Sequence, residues 1–168
     1  GAGFIGANLV RTMTSRSDFE EVIVLDDLSF GNLDNLDGLD ARFIEGSVLD
    51  ERVLADASLG VDAIVHLAAR SSVPRSIAEP MAAHEVTTTG TAMVLEAARQ
   101  QGDIHVIVAS SSSVYGRTEI LPKYESLPAR PVSPYAASKL ATEAYTLAWS
   151  HSYGFPALAF RLFNVFGP

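Results

Sequence analysis

Tyr135 and Lys139, within Ser133-Pro134-Tyr135-Ala136-Ala137-Ser138-Lys139, have the types and spacing of a proton-transfer pair. Ser133 suits a helix N-cap, because its hydroxyl can accept an orphan backbone N–H. Pro134 suits the first helical position, where a missing N–H costs nothing. A helix starting here puts residues four apart on one face, one turn apart. A free phenol ionises near pH ~10 and is a poor base at neutrality. A nearby ammonium favours the phenolate. The alternative is a surface Tyr beside a surface Lys, and Tyr-x-x-x-Lys alone does not separate the two. The surrounding elements must decide.

The first is Gly1-Ala2-Gly3-Phe4-Ile5-Gly6, which fits G-x-G-x-x-G and runs into the apolar-periodic stretch Ala7–Met13. Glycines let a backbone turn tightly against a pyrophosphate, and a helix N-terminus offers N–H groups and positive dipole. Val22-Ile23-Val24-Leu25 reads as a buried parallel strand ending in Asp26-Asp27. Asp26 falls about 20 residues past the glycines, where a dinucleotide fingerprint carries an acid for the ribose hydroxyl. A carboxylate there repels a 2′-phosphate and no Arg follows at once, which favours NAD over NADP. A solvated acidic loop is the plainer alternative. The loop Leu28-Ser29-Phe30-Gly31-Asn32 has turn chemistry and could wrap an adenosine.

Further strands are expected at Ala41–Glu45, at Ala63–Leu67 running into Ala68-Ala69, at Ile104–Ala109 running into Ser110–Ser113, and at Ala157–Leu162. Helices are expected near Asp50–Ala57, over Met81–Gln101 with Gly102 as a stop, and from the Tyr135 segment to about His151. His66 reads as a core histidine and Trp149 as packing. Strands alternating with helices imply an α/β fold, a Rossmann-like doubly wound parallel sheet with right-handed crossovers. Ligands of such sheets bind at the strands' carboxyl ends. The glycine loop, Asp26, Ala68-Ala69, the serines and the Tyr135 helix all fall at such ends, which is what lifts the pair above its bland reading.

Composition narrows the classes. The chain has 168 residues, 48% of them hydrophobic and 19% charged, which suits one globular domain over 1–168. A net charge of −8 argues against non-specific binding to nucleic acid or to an anionic membrane surface. Without cysteine there is no disulfide, thiolate metal site or cysteine nucleophile, which suits a cytoplasmic enzyme. No apolar run approaches the ~20 residues of a membrane span. No His lies at metal-ligand spacing from another, so no metal site is expected. The chain begins with Gly, inside a turn motif, and is expected to be a fragment.

The motifs GAGFIG, VIVLDDLSFGN, VHLAA, SSSSVYG, SPYAASK and RLFNVFGP together resemble the extended short-chain dehydrogenase/reductase family (NAD-dependent epimerases and dehydratases), most of all its UDP-glucose 4-epimerase-like nucleotide-sugar 4-epimerases, over almost all 168 residues. The resemblance implies Tyr135 as the base and Lys139 as the residue that holds the nicotinamide ribose and keeps the Tyr135 pKa low. It implies Ser111, with Ser112 beside it, as the catalytic hydroxyl, and Ser111, Ser112, Tyr135 and Asn164 as substrate contacts. NAD would lie against Gly3, Phe4, Ile5, Gly6, Asp26, Asp27, Ser29, Gly31, Ser47, Val48, Leu67, Ala68 and Ala69, with Tyr135 and Lys139 at its nicotinamide end.

The implied reaction removes the proton of a sugar 4-hydroxyl through Tyr135 while hydride leaves C4, then returns hydride to the other face of the 4-keto sugar. Dehydratases of the family typically carry acids where Ser112 and Ser113 stand, and UDP-glucuronate decarboxylases tend to carry Glu at Ser113, so epimerase is the preferred reading and these are the alternatives. A dinucleotide-binding module without chemistry is a further one. The family often has Asp where Ser47 lies and Asn where Thr87 lies. The resemblance further implies homodimerisation through the long helices, a first strand before Gly1 and a substrate-binding part after Pro168.

Overall fold

A computed structural model of the chain describes residues 1–102 and 104–167. The elements alternate: α1 (Phe4–Thr14), β1 (Ile23–Asp26), β2 (Arg42–Glu45), α2 (Glu51–Ala57), β3 (Ala63–His66), α3 (Val73–Ala78), α4 (Pro80–His84), α5 (Gly90–Gln101), β4 (His105–Ser111), α6 (Pro134–Tyr153) and β5 (Ala157–Leu162). All strand pairs are parallel, as the alternation requires. They form two parallel sheets, β1-β2 and β3-β4-β5, in the Rossmann-like alternation of strand and helix expected of the chain. Beside β1 the chain at Gly1 makes one backbone bond, its nitrogen donating to the Leu25 carbonyl at 3.1 Å, and turns at once into α1. No ladder forms there, and among the described residues no strand joins the two sheets.

Each sheet has its own core. Ala7 and Val10 of α1 pack with Val22, Val24 and Leu36 over the first. Val106 and Val108 of the central strand β4 are fully buried with Leu95, Ala98 and Phe155 over the second, and Trp149 packs against that cluster. No described helix is long and apolar enough to cross a membrane.

The helix expected over Met81–Gln101 is one part of a longer, interrupted run. Ser72 caps α3 by accepting from the Arg75 N–H at 3.3 Å, and Pro80 then opens α4. A π-turn at Glu85–Thr89 separates α4 from α5. The Thr87 carbonyl inside this turn accepts from the Thr91 hydroxyl at 2.6 Å. Helix α6 starts as its sequence dictates, with the Ser133 hydroxyl accepting from the Ala136 N–H at 3.1 Å. It runs past His151 to Tyr153, where Gly154 at φ 80° closes it in the left-handed region that favours glycine.

The buried face of α6 is mostly polar: Ser138, Lys139, Thr142, Glu143 and Thr146. Polar groups taken out of water must be paired. Thr142 shares a hydrogen bond with Thr91 at 3.1 Å, and Thr91 lies 3.1 Å from His66 Nε2. Glu143 takes a two-pronged contact from Arg161 of β5, both bonds 2.8 Å, and accepts from the Ser110 hydroxyl. Arg161 also lies over the Tyr115 ring at 4.7 Å. Helix α6 is thereby tied to β3, β4 and β5 through directional bonds as well as packing.

Burial, helped by the positive charge of Lys139, pushes the His66 pKa down to about 3. The unfolded chain takes up that proton near pH ~6.5 while the folded chain refuses it. Stability is therefore full above pH ~6.5 and drains as the pH falls toward 3. His66→Gln keeps a hydrogen-bonding group beside Thr91 and removes the titration. Urea unfolding between pH 7 and pH 4 should show a shallower loss of stability in the variant, and equal slopes would contradict this account of His66.

Candidate active site

The carboxyl ends of β1, β3, β4 and β5 open into one cleft of about 990 Å³. It is lined by the glycine-loop residues Gly3, Phe4, Ile5 and Gly6, by Asp26, Asp27, Ser29 and Gly31 after β1, and by Val48 after β2. Leu67, Ala68 and Ala69 line it after β3, Ser111 and Ser112 at the end of β4, Asn164 after β5, and Tyr135 and Lys139 on α6. Ser47 is not among the lining residues. Its hydroxyl accepts from the Leu49 N–H at 3.2 Å in a local turn.

The loop end is shaped by close approach. A Cβ on Gly6 would sit 2.1 Å from the Gly1 carbonyl oxygen, and one on Gly31 would sit 2.9 Å from Asp26 Oδ1. Helix α1 has no side-chain cap, and Gly3, its N-cap, has open space where a Cβ would point. Uncapped N–H groups at a helix start, facing a cleft, suit a diphosphate. The Asp26 carboxylate accepts from the Ala2 N–H and the Leu28 N–H, both at 2.8 Å, and so fixes the glycine loop against the end of β1.

At the other end, Lys139 is buried and its Nζ donates to the Ala109 carbonyl at 2.6 Å. Burial lowers its pKa to about 8. Tyr135 is half-buried one turn earlier, its backbone N–H bonded to the Ser76 hydroxyl at 3.1 Å. Burial raises the phenol's pKa, and the Ser111 hydroxyl pulls it back down. The Lys139 ammonium is bound to a strand carbonyl, and the Ser111 hydroxyl is the group that offsets burial at the phenol. The Ser111 oxygen also accepts from the Ser113 N–H at 3.1 Å, where a tight turn at Ser112–Tyr115 aims the serines into the cleft. Asp26 and Asp27 are the only carboxylates among the described lining residues, and both lie after β1. Among the described residues no three His, Asp or Glu gather as a metal site.

Phe30, in the loop expected to wrap an adenosine, lines the cleft; sequence reasoning missed Arg70 and Lys123, which also line it, and the Glu143–Arg161 pair behind Ser110. Arg70 directly follows the small residues at the end of β3, a signal that was present. Nothing in the spacing of Glu143 and Arg161 announces their contact.

With this geometry in hand, likeness to known proteins is informative. The family model for the NAD-dependent epimerase/dehydratase family matches residues 1–168. A UDP-glucose 4-epimerase of Lacticaseibacillus casei is 36% identical over 170 residues, covering 99% of this chain and 50% of that protein. The crystal structure of a Thermus thermophilus UDP-glucose 4-epimerase in complex with NAD superposes with a TM-score of 0.92 at 35% identity, over 99% of this chain and 54% of that one. A dTDP-glucose 4,6-dehydratase of Streptomyces venezuelae, solved with NAD bound, gives a TM-score of 0.93 at 39% identity, over 99% and 55%. The chain spans about half the length of the relatives it matches. Parallel strands, a glycine loop at an uncapped helix and a Tyr-x-x-x-Lys helix come together here because the chain belongs to the NAD-dependent epimerase/dehydratase family.

Proposed function

We propose that the protein carrying this chain is an NAD-dependent nucleotide-sugar 4-epimerase of the UDP-glucose/UDP-galactose type. The observation that carries this reading is the composition of the cleft beside Tyr135: Ser111, Ser112 and Ser113 supply hydroxyls there and no carboxylate does. Elimination of water or loss of carbon dioxide calls for further acid–base groups, whereas epimerisation needs one base and one hydrogen-bonding hydroxyl. A 4,6-dehydratase is the second reading, favoured by the 39% identity to the dehydratase structure; decarboxylation of a UDP-glucuronate is a third.

The uncapped start of α1 would hold the diphosphate of NAD, Asp26 its adenosine ribose and Lys139 its nicotinamide ribose. Bound NAD supplies reversible hydride acceptance at sugar C4. Tyr135 takes the proton of the 4-hydroxyl and returns it, and Ser111 hydrogen-bonds the same oxygen. Because burial disfavours the phenolate, the base needs positive charge in the cleft, which Lys139 and an oxidised nicotinamide ring together provide. Asn164, after β5, would bind the diphosphate of the sugar nucleotide.

We further propose that the protein is a homodimer through its long helices. Exposed Tyr145, Leu147 and Tyr153 of α6 and Met81 of α4 supply apolar surface for such an interface.

In the full-length protein, Tyr135→Phe should lower turnover at least ~100-fold; near wild-type turnover would contradict the mechanism. Incubated with UDP-glucose, the same protein should yield UDP-galactose, whereas a 4-keto-6-deoxy product from dTDP-glucose alone would select the dehydratase reading. Light scattering at micromolar concentration should report a dimer, and a monomer would contradict the dimer.

A further inference from the structure

Phe30 is 56% exposed at the mouth of the cleft, yet its ring is covered by two guanidiniums. Arg70 Cζ lies 5.6 Å and Arg75 Cζ 5.2 Å from the ring centroid. The three side chains enclose a cavity of about 250 Å³, which shares Phe30, Arg70 and Ser71 with the main cleft. In a chain of net charge −8, two cations meeting on one exposed ring are a local reversal of sign.

Both sides of the contact are held firmly. Phe30 sits on the loop fixed by the bonds of Asp26 to Leu28 and of Asp27 to Ser29, and Leu28 there takes a left-handed φ of 55°. Arg70 is anchored by its N–H to the Thr87 hydroxyl at 3.3 Å and by its guanidinium to Glu79 at 2.6 Å. The Arg75 N–H is held by Ser72. Phe30 follows β1, Arg70 follows β3 and Arg75 opens α3, so the contact joins two strand ends that border the cleft. A dinucleotide extended between Asp26 and Lys139 has to lie in the cleft that this contact borders.

We propose that Phe30, Arg70 and Arg75 form a latch across the cleft that retains the bound dinucleotide, with the guanidiniums attracting its diphosphate. The inference rests on the NAD reading above. Arg70 lines the same cleft as Gly3 and Gly6, so the diphosphate would meet helix N–H groups and a cation together. The ring holds the Arg75 guanidinium at the mouth without neutralising it, whereas Arg70 there is also paired with Glu79.

The test is the rate at which the intact protein, loaded with NADH, releases it on mixing with excess NAD, followed by NADH fluorescence. Phe30→Ala and Arg75→Ala should each release NADH about tenfold faster than wild type at unchanged melting temperature. Arg75→Lys, which keeps the charge but loses the guanidinium over the ring, should fall between. Raised salt should speed release from wild type more than from Arg70→Ala/Arg75→Ala. Release at the wild-type rate from Phe30→Ala and Arg75→Ala would overturn the latch while leaving the cofactor reading intact. Failure of wild type to bind NADH in a prior titration would overturn the cofactor reading, and the latch with it.

Discussion

The bond from the Lys139 ammonium to the Ala109 carbonyl sets the geometry of the whole site. A buried cation must be paired or lose its proton, and Lys139 does some of each, with its pKa brought down to about 8. The carbonyl it binds lies two residues before Ser111, and Tyr135 lies one helical turn before Lys139. One contact therefore locks the register of α6 against β4, and with it the phenol against the serine. Glu143, one turn further along, repeats the lock by accepting from Ser110 and pairing with Arg161. Three successive turns of one helix thus face one strand end.

This arrangement explains the polarity of the core. A helix packed on a sheet by leucines could slide or rotate with little penalty, because apolar contacts are not directional. The threonines and His66 between α5, α6 and β3 make bonds that exist in one register only. Among the described residues the Thr88 hydroxyl in the π-turn and Trp149 Nε1 on α6 are buried without a hydrogen-bond partner. The polar core holds the Tyr135 end of α6 in one register against the end of β4.

Much of this was legible in the chain itself. Ser133-Pro134 and Gly154 mark the two ends of α6 because caps depend on local residue types. The glycine loop, the strand-end serines and the small residues after β3 are local too, and they line one cleft. Long-range pairings were hidden. Arg161 and Glu143 meet through the fold, as do Phe30 and Arg75. The π-turn at Glu85–Thr89 left no mark in a pattern that reads as one continuous helix. The local turn in which the Ser47 hydroxyl accepts from the Leu49 N–H left no mark in the sequence either. The bond of Lys139 to Ala109 was hidden as well, because spacing along a helix fixes which face a side chain shares while the ammonium's direction is set by the nearest buried acceptor.

The phenol's own ionisation tests the central claim most directly. In the intact protein, ultraviolet difference titration of wild type against Tyr135→Phe isolates the Tyr135 phenolate. The expected result is a pKa above the ordinary value of ~10 without NAD, as burial dictates, and a fall by at least ~2 units when NAD is bound. A Tyr135 signal that titrates at the same pH with and without NAD would contradict the assignment of this residue as the base.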